Sequence, residues 1–259
     1  MTRLYHEEAG DGVPILLIHP AGSTASTWGA AADQLAEIGR VISYDRRGYA
    51  RSGGARVRSI SVHTADAAAI LESLGAAPAV VVGTSAGAAI AVDLAVRYPD
   101  RVRAVVAHEF PWRYTRHLPG AAQLTALVKT GSYALVGRTA RAAETLLRSA
   151  YAYRDGGSAW DAFPEAWRRV ARENAAATLA DFRSSIGVYR HRRILRPSSF
   201  RLCAATGHAA LATWLASFGR SPRRCPAGER AKSKGRDTQR RSMHHRSSWS
   251  WSPRPACER

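Results

Sequence analysis

Between residues 15 and 107 the chain alternates short apolar runs with stretches of helical spacing. The runs are ILLIH (Ile15 to His19), RVISY (Arg40 to Tyr44), AVVV (Ala79 to Val82) and VRAVVA (Val102 to Ala107). Helical spacing separates them at Trp28 to Ile38, at Thr64 to Leu74, and from Ser85 to about Tyr98. Short continuous apolar runs suit strands buried on both faces. Strands joined through intervening helices run parallel. The pattern therefore predicts an α/β fold, a mostly parallel sheet with helices on both faces. Local signals agree. Residues 3 to 19 read as two strands about a Gly10-Asp11-Gly12 turn, Ser26 or Thr27 is placed to cap the first helix, Gly75 stops the second, and Pro99-Asp100 ends the third.

Open sheets of this kind bind ligands at the carboxyl ends of their strands. Four loops converge there: HPAGS from His19, DRRG from Asp45, GTSAG from Gly83 and HEFPW from His108. The third is a G-x-S-x-G pattern between a buried strand and a helix. A serine hydroxyl is a poor nucleophile until a base takes its proton. A tight strand-to-helix turn projects the oxygen of Ser85 into the site, and Gly83 and Gly87 let that turn approach neighbouring backbone. The Ala86 amide points at the same spot and can hold an oxyanion, helped by the positive end of the helix. In a chain with 21 glycines the pattern alone is weak, and its strand-to-helix setting is what raises it. A second oxyanion donor is expected from the loop after ILLIH.

Over roughly residues 3 to 190 the sequence resembles the α/β-hydrolase superfamily. LLIHPAGSTASTW, YDRRGYARSG, VVGTSAGAAIAVDLAVRYPDRV and the helical stretch after AHEFPW carry the resemblance, in that order. It implies Ser85 as nucleophile and the amides of Ala21 and Ala86 as oxyanion hole. Pro20 stands where the family often has glycine, but the donor needed is the next residue. Asp45, Arg47 and Gly48 match the family's Asp-x-Arg-Gly loop, a structural feature near the site. Ser85 itself argues against the aspartate nucleophile of the family's epoxide hydrolases and dehalogenases. The activity implied is hydrolysis of an ester, thioester or similar small acyl compound, with neither metal nor organic cofactor.

Three segments follow. Residues 1–110 form the first part of the core, and residues 111–196, rich in Ala and Arg, a helical cap. Residues 197–259 are atypical and end in a basic tail without period, of a composition that does not fold alone. The family places an acid and then a histidine after the serine. Glu109, directly after the VRAVVAH run, is the candidate acid, since a buried carboxylate there orients an imidazole. Its alternative is a structural pairing with a cap arginine. His208, in Thr206-Gly207-His208, is the candidate base, although it comes about two elements too early. His244 and His245 stand at a more usual chain distance, in a basic stretch with no strand before them. His108 reads as a strand end, and His6, His63, His117 and His191 as surface or loop residues. Trp112, Tyr114, Trp160, Phe163 and Trp167 suggest an apolar pocket.

The last 40 residues hold twelve basic and three acidic side chains, half of the net charge of +18. All three cysteines (Cys203, Cys225, Cys257) also fall late, in a spacing that fits neither a disulfide framework nor a zinc site. The abrupt change reads as a shift of frame near residues 195 to 203. Translating the other frames of the gene tests this, since one of them should restore two strands and a histidine loop. Two other functions compete with the hydrolase. One is a catalytically impaired relative that only binds a small apolar ligand. The other is a nucleic-acid or membrane-surface binder acting through the basic tail. The tail has only Trp249 and Trp251 to stack on bases, so no specific nucleic acid is expected. No apolar stretch approaches the ~20 residues of a membrane span. The opening MTRLYHEEAGDG lacks the apolar core of a signal peptide, so a cytoplasmic location is expected. The expected partner is a small-molecule substrate, and the sequence sets no oligomeric state.

Overall fold

The computed structural model of the chain describes residues 3–57, 59–110, 120–153, 157–183 and 201–205. The core elements are β1 (His6–Ala9), β2 (Pro14–Ile18), α1 (Gly29–Ala36), β3 (Arg40–Tyr44), α2 (Ile60–Ser73), β4 (Ala79–Thr84), α3 (Ala86–Arg97) and β5 (Val102–His108). A helical segment follows, with α4 (Ala121–Leu135), α5 (Thr139–Ala150), α6 (Glu165–Glu173) and α7 (Ala175–Arg183), and then β6 (Arg201–Ala205). The sheet order is β1-β3-β2-β4-β5-β6. β1 pairs antiparallel with β3, and every other pair is parallel.

Alternation along the strands feeds two cores. Leu16, Ile18, Ile42, Tyr44, Val81 and Val105 face α2 and α3, while Ile15, Leu17, Val41, Val80, Val82 and Val106 face Trp28 and Leu35. Each such aliphatic side chain contributes about 1.5–3 kcal/mol by leaving water. The run of small residues after Ser85 now has its reason. Residues Ala86 to Ala95 are all buried, because α3 packs against β4, β5 and α2 at once. Gly75, at φ 58°, stops α2 as expected, its amide bonded to the Glu72 carbonyl and that of Ala76 to the Leu71 carbonyl at 2.8 Å.

Some local expectations are corrected. The first helix begins with a 3-10 turn at Ala25–Trp28, and neither Ser26 nor Thr27 caps it. The hydroxyls of Thr24 and Ser26 bond each other instead, at 2.7 Å. α2 starts four residues before Thr64, which places His63 in its first turn. A strand was not expected after Pro197, but β6 pairs parallel with β5 from Arg201 to Ala205. RLCAA gave little sign of it, having no β-branched residue. In the helical segment α5 packs on α4, α6 and α7, around Ala142, Ala143, Leu146, Ala175 and Leu179. Among the described residues no helix is long and apolar enough to cross a membrane.

Candidate active site

The register sets the site. Thr84 of β4 lies beside His108 of β5, and His108 beside Ala205 of β6, so three strands end at one edge. Ser85 follows Thr84 at φ 51° and ψ −114°. A residue with a Cβ held there costs about 1–3 kcal/mol. Surrounding bonds hold it. The Ser85 amide donates to the His108 carbonyl at 3.0 Å, and the Ala89 amide donates to the Ser85 carbonyl at 3.2 Å. Ser85 is half-buried, and its hydroxyl does not cap α3. The oxygen is thus presented at the helix N-terminus without being spent on the helix.

The two glycines of the motif are required by space. A Cβ on Gly83 would strike the backbone of Gly87 and lie 2.6 Å from the Ala88 nitrogen. A Cβ on Gly87 would strike the Ile18 carbonyl and lie 3.0 Å from the His19 oxygen. The serine turn and the loop after β2 are therefore in backbone contact. This brings Ala86 beside the loop that carries Ala21, both of them buried. Gly22, at φ 74°, continues that loop, and a Cβ on it would meet Leu147 Cδ1 of α5 at 2.7 Å.

His19 is fully buried in the same loop. Its Nδ1 lies 2.7 Å from the Pro20 carbonyl, and its Nε2 accepts the Arg46 amide at 3.0 Å. The second contact fixes the tautomer, with the proton on Nδ1 donated to Pro20. Burial, with the Arg46 charge beside it, pushes the imidazole down to about 3. His19 therefore has both ring nitrogens engaged and is no base for Ser85.

The loop after β3 is tied down residue by residue. Asp45 accepts the Ala25 amide at 2.8 Å and Arg51 Nε at 2.7 Å. Burial alone would raise its carboxyl, but these bonds hold it below its ordinary value. Arg47 donates to Asp66 from Nε at 2.8 Å, and Gly48 turns at φ 78°. Arg46, between them, is fully buried and donates from Nη2 to Asp181 Oδ2 of α7 at 2.6 Å. Its guanidinium lies 4.5 Å from the Tyr49 ring centroid, and the Tyr49 hydroxyl donates to the same Asp181 oxygen at 2.6 Å. Burial would raise the Asp181 carboxyl, but the Arg46 charge and the contacts from His63 and Arg46 together outweigh it and keep the carboxyl ionised. His63 is 2% exposed, with Nε2 3.3 Å from Asp181 Oδ1. It is not the surface residue expected from the sequence, because α2 begins early enough to turn it inward. Burial lowers its pKa despite the carboxylate. Neither Arg46 nor Asp181 was singled out in the sequence. The one available signal was an acid inside the apolar helix AAATLADF.

Two buried imidazoles with lowered pKa values make stability depend on pH. Below about pH 6.5 the unfolded chain binds protons that the native state refuses. Stability thus falls as pH falls, by about 1.4 kcal/mol per unit for each such histidine, down to the native pKa. Carboxylates are still ionised in both states between pH 6.5 and 5. Urea unfolding at pH 7, 6 and 5 should show a steady loss of stability, and equal midpoints at all three would contradict the neutral histidines.

Glu109 follows β5 at φ 49° and is exposed, so the burial expected of it is not found. It does stand on the edge that carries Ser85. His108 closes β5 and is buried, as a strand end should be. His208 lies outside the described residues, as do His117, His191, His244, His245, Trp112, Tyr114, Cys225, Cys257 and the basic tail. Trp160, Phe163 and Trp167 come together in the helical segment, with ring centroids 6.0 and 5.8 Å apart in succession.

A parallel sheet in this order, with a strained serine turn at the end of β4, defines an α/β hydrolase fold. Residues 13–133, a little under half of the chain, match the alpha/beta hydrolase fold family. It is similar to the uncharacterized hydrolase YraK of Bacillus subtilis, 36% identical over 111 residues, or 42% of this chain and 41% of that one. Zearalenone hydrolase of Bionectria ochroleuca is 32% identical over 126 residues, 46% of this chain and 48% of that one. The chain thus spans less than half the length of these curated relatives. An α/β hydrolase from Sphaerobacter thermophilus DSM 20745 shares the fold, with a TM-score of 0.65 over 84% of each chain at 21% identity.

Proposed function

We propose that the chain is a serine hydrolase that cleaves a small acyl substrate, an ester or thioester, through an acyl-enzyme on Ser85. The observation that carries this is Ser85 at φ 51°, with its turn in backbone contact with the loop of Ala21. Ser85 Oγ attacks the substrate carbonyl carbon, and its proton passes to a base. The carbonyl oxygen takes up the negative charge and faces the Ala21 and Ala86 amides. The carbonyl reforms as the leaving group departs with that proton, which leaves the acyl group on Ser85. Water, losing a proton to the same base, then releases the acid and restores the serine. His208 is assigned as base and Glu109 as its partner.

Residues 120–183 serve as the cap over this edge. A cavity of about 80 Å³ lies between the Pro20 to Thr27 loop and the aromatic side chains of the helical segment. Leu147, Tyr151, Trp160, Phe163 and Trp167 form its apolar wall. Its lining includes Ala21, the proposed oxyanion donor. Its volume is that of roughly three water molecules, less than the ~150 Å³ of a cavity that admits benzene. A short aliphatic acyl group fits this space.

A series of p-nitrophenyl esters from acetate to octanoate tests both points. The purified chain should hydrolyse acetate and butyrate, with kcat/KM falling beyond butyrate. Trp167→Ala should extend the range, since Trp167 is 52% exposed at the rim and its loss does not open the core. Activity that rises toward octanoate would overturn the short-acyl assignment. Absence of hydrolysis throughout, from folded protein, would overturn the hydrolase itself.

A further inference from the structure

We infer that Arg46, anchored by Asp181 of α7, is a positioning residue that sets and polarises the peptide bond carrying the Ala21 oxyanion donor. This rests on the proposed role of Ala21. The Pro20 carbonyl and the Ala21 N–H belong to one planar peptide unit, so fixing the oxygen fixes the direction of the N–H. Two donors reach that oxygen from inside the protein: His19 Nδ1 at 2.7 Å and Arg46 Nη2 at 3.3 Å. Bonds to the carbonyl draw electron density from the amide and strengthen its N–H as a donor, the more so when the partner is charged and buried. The substrate oxygen then meets an amide already oriented and polarised.

The anchoring of Arg46 explains how this is maintained. Its own amide is bonded to His19 Nε2, so one residue holds both the imidazole and the carbonyl that the imidazole touches. Its Nη2 alone serves both Pro20 and Asp181. Among the described residues, its buried Nε and Nη1 have no hydrogen-bond partner. A buried ion pair with two idle donors adds little stability over an apolar replacement. What the arrangement does supply is position: Nη2 is held between the carboxylate and the Pro20 oxygen. Arg46 and Asp181 stand 135 residues apart in the chain, so the donor is set only when α7 is docked.

The test uses Arg46→Met, Asp181→Asn and Thr64→Val in the full chain. Thr64→Val is the structural control. It removes a buried hydroxyl bonded to Asp93 at 2.7 Å and to the Ile60 carbonyl at 2.9 Å. An oxyanion donor acts in the transition state, so Arg46→Met should lower kcat by about tenfold to a hundredfold with KM little changed. Asp181→Asn should do the same, and it keeps the shape of the side chain if Arg46→Met does not fold. Thr64→Val should lose stability but keep kcat. Unchanged kcat in both site variants, or an equal loss in the control, would overturn the inference. If the wild-type chain hydrolyses no ester, the Ser85 role fails, and the Ala21 amide decides separately by NMR. Its nitrogen resonance should move upfield in Arg46→Met and Asp181→Asn and stay in place in Thr64→Val. An unmoved resonance in both site variants would overturn the inference.

Discussion

Ser85→Ala and Ser85→Gly should both lower ester hydrolysis by about 10⁴-fold or more, while only the glycine variant gains stability. The loss of rate follows from removing the atom that carries the acyl group. The difference in stability follows from the backbone. At φ 51° and ψ −114° any Cβ is strained, so alanine inherits the strain of serine and glycine does not. The relief of about 1–3 kcal/mol is partly offset by the extra freedom glycine gives the unfolded chain. A net gain of about 1 kcal/mol remains, which thermal melts of the three proteins resolve. Ser85→Gly melting below wild type would mean that the turn is not strained. Ser85→Ala retaining activity would remove Ser85 from the chemistry.

Gly87→Ala should cost about 3 kcal/mol or more and abolish activity. The added carbon would strike the Ile18 carbonyl and crowd that of His19. Neither is a side chain that can rotate away. They are main-chain atoms of β2 and of the oxyanion loop, so relief requires the serine turn and that loop to separate. The separation removes the contact that sets Ala86 beside Ala21. Gly131 is the contrasting case. It lies inside α4, and a Cβ there meets nothing within 4 Å. Gly131→Ala should therefore add up to about 1 kcal/mol through helix propensity alone. Denaturant midpoints of the two variants check this. Gly87→Ala as stable as wild type would contradict the close approach.

The core was legible because its signals are local. Continuous apolar runs gave β2 to β5, Gly75 gave the end of α2, and the two glycines of GTSAG gave the close approach that the structure shows. The ends of elements were less so. ISVHTAD carries α2 four residues further back than expected, and with it His63 moves from the surface to the interior. The Arg46–Asp181 pair was invisible for a different reason. Its partners are joined only by the docking of α7, and arginine and aspartate are common in the segments that hold them. Glu109 shows the reverse error, since its place on the edge followed from the strand but its burial did not. The strand β6 was missed because RLCAA has neither alternation nor β-branched residues to announce it.

The most direct test of the central claim is labelling of the purified full chain with a fluorophosphonate, followed by peptide mapping. Such a probe phosphonylates a serine only where a base and an oxyanion hole act on it. The site described above predicts a single adduct on Ser85, absent from Ser85→Ala. Folded wild-type protein that takes up no label, or carries it on another residue, would contradict it.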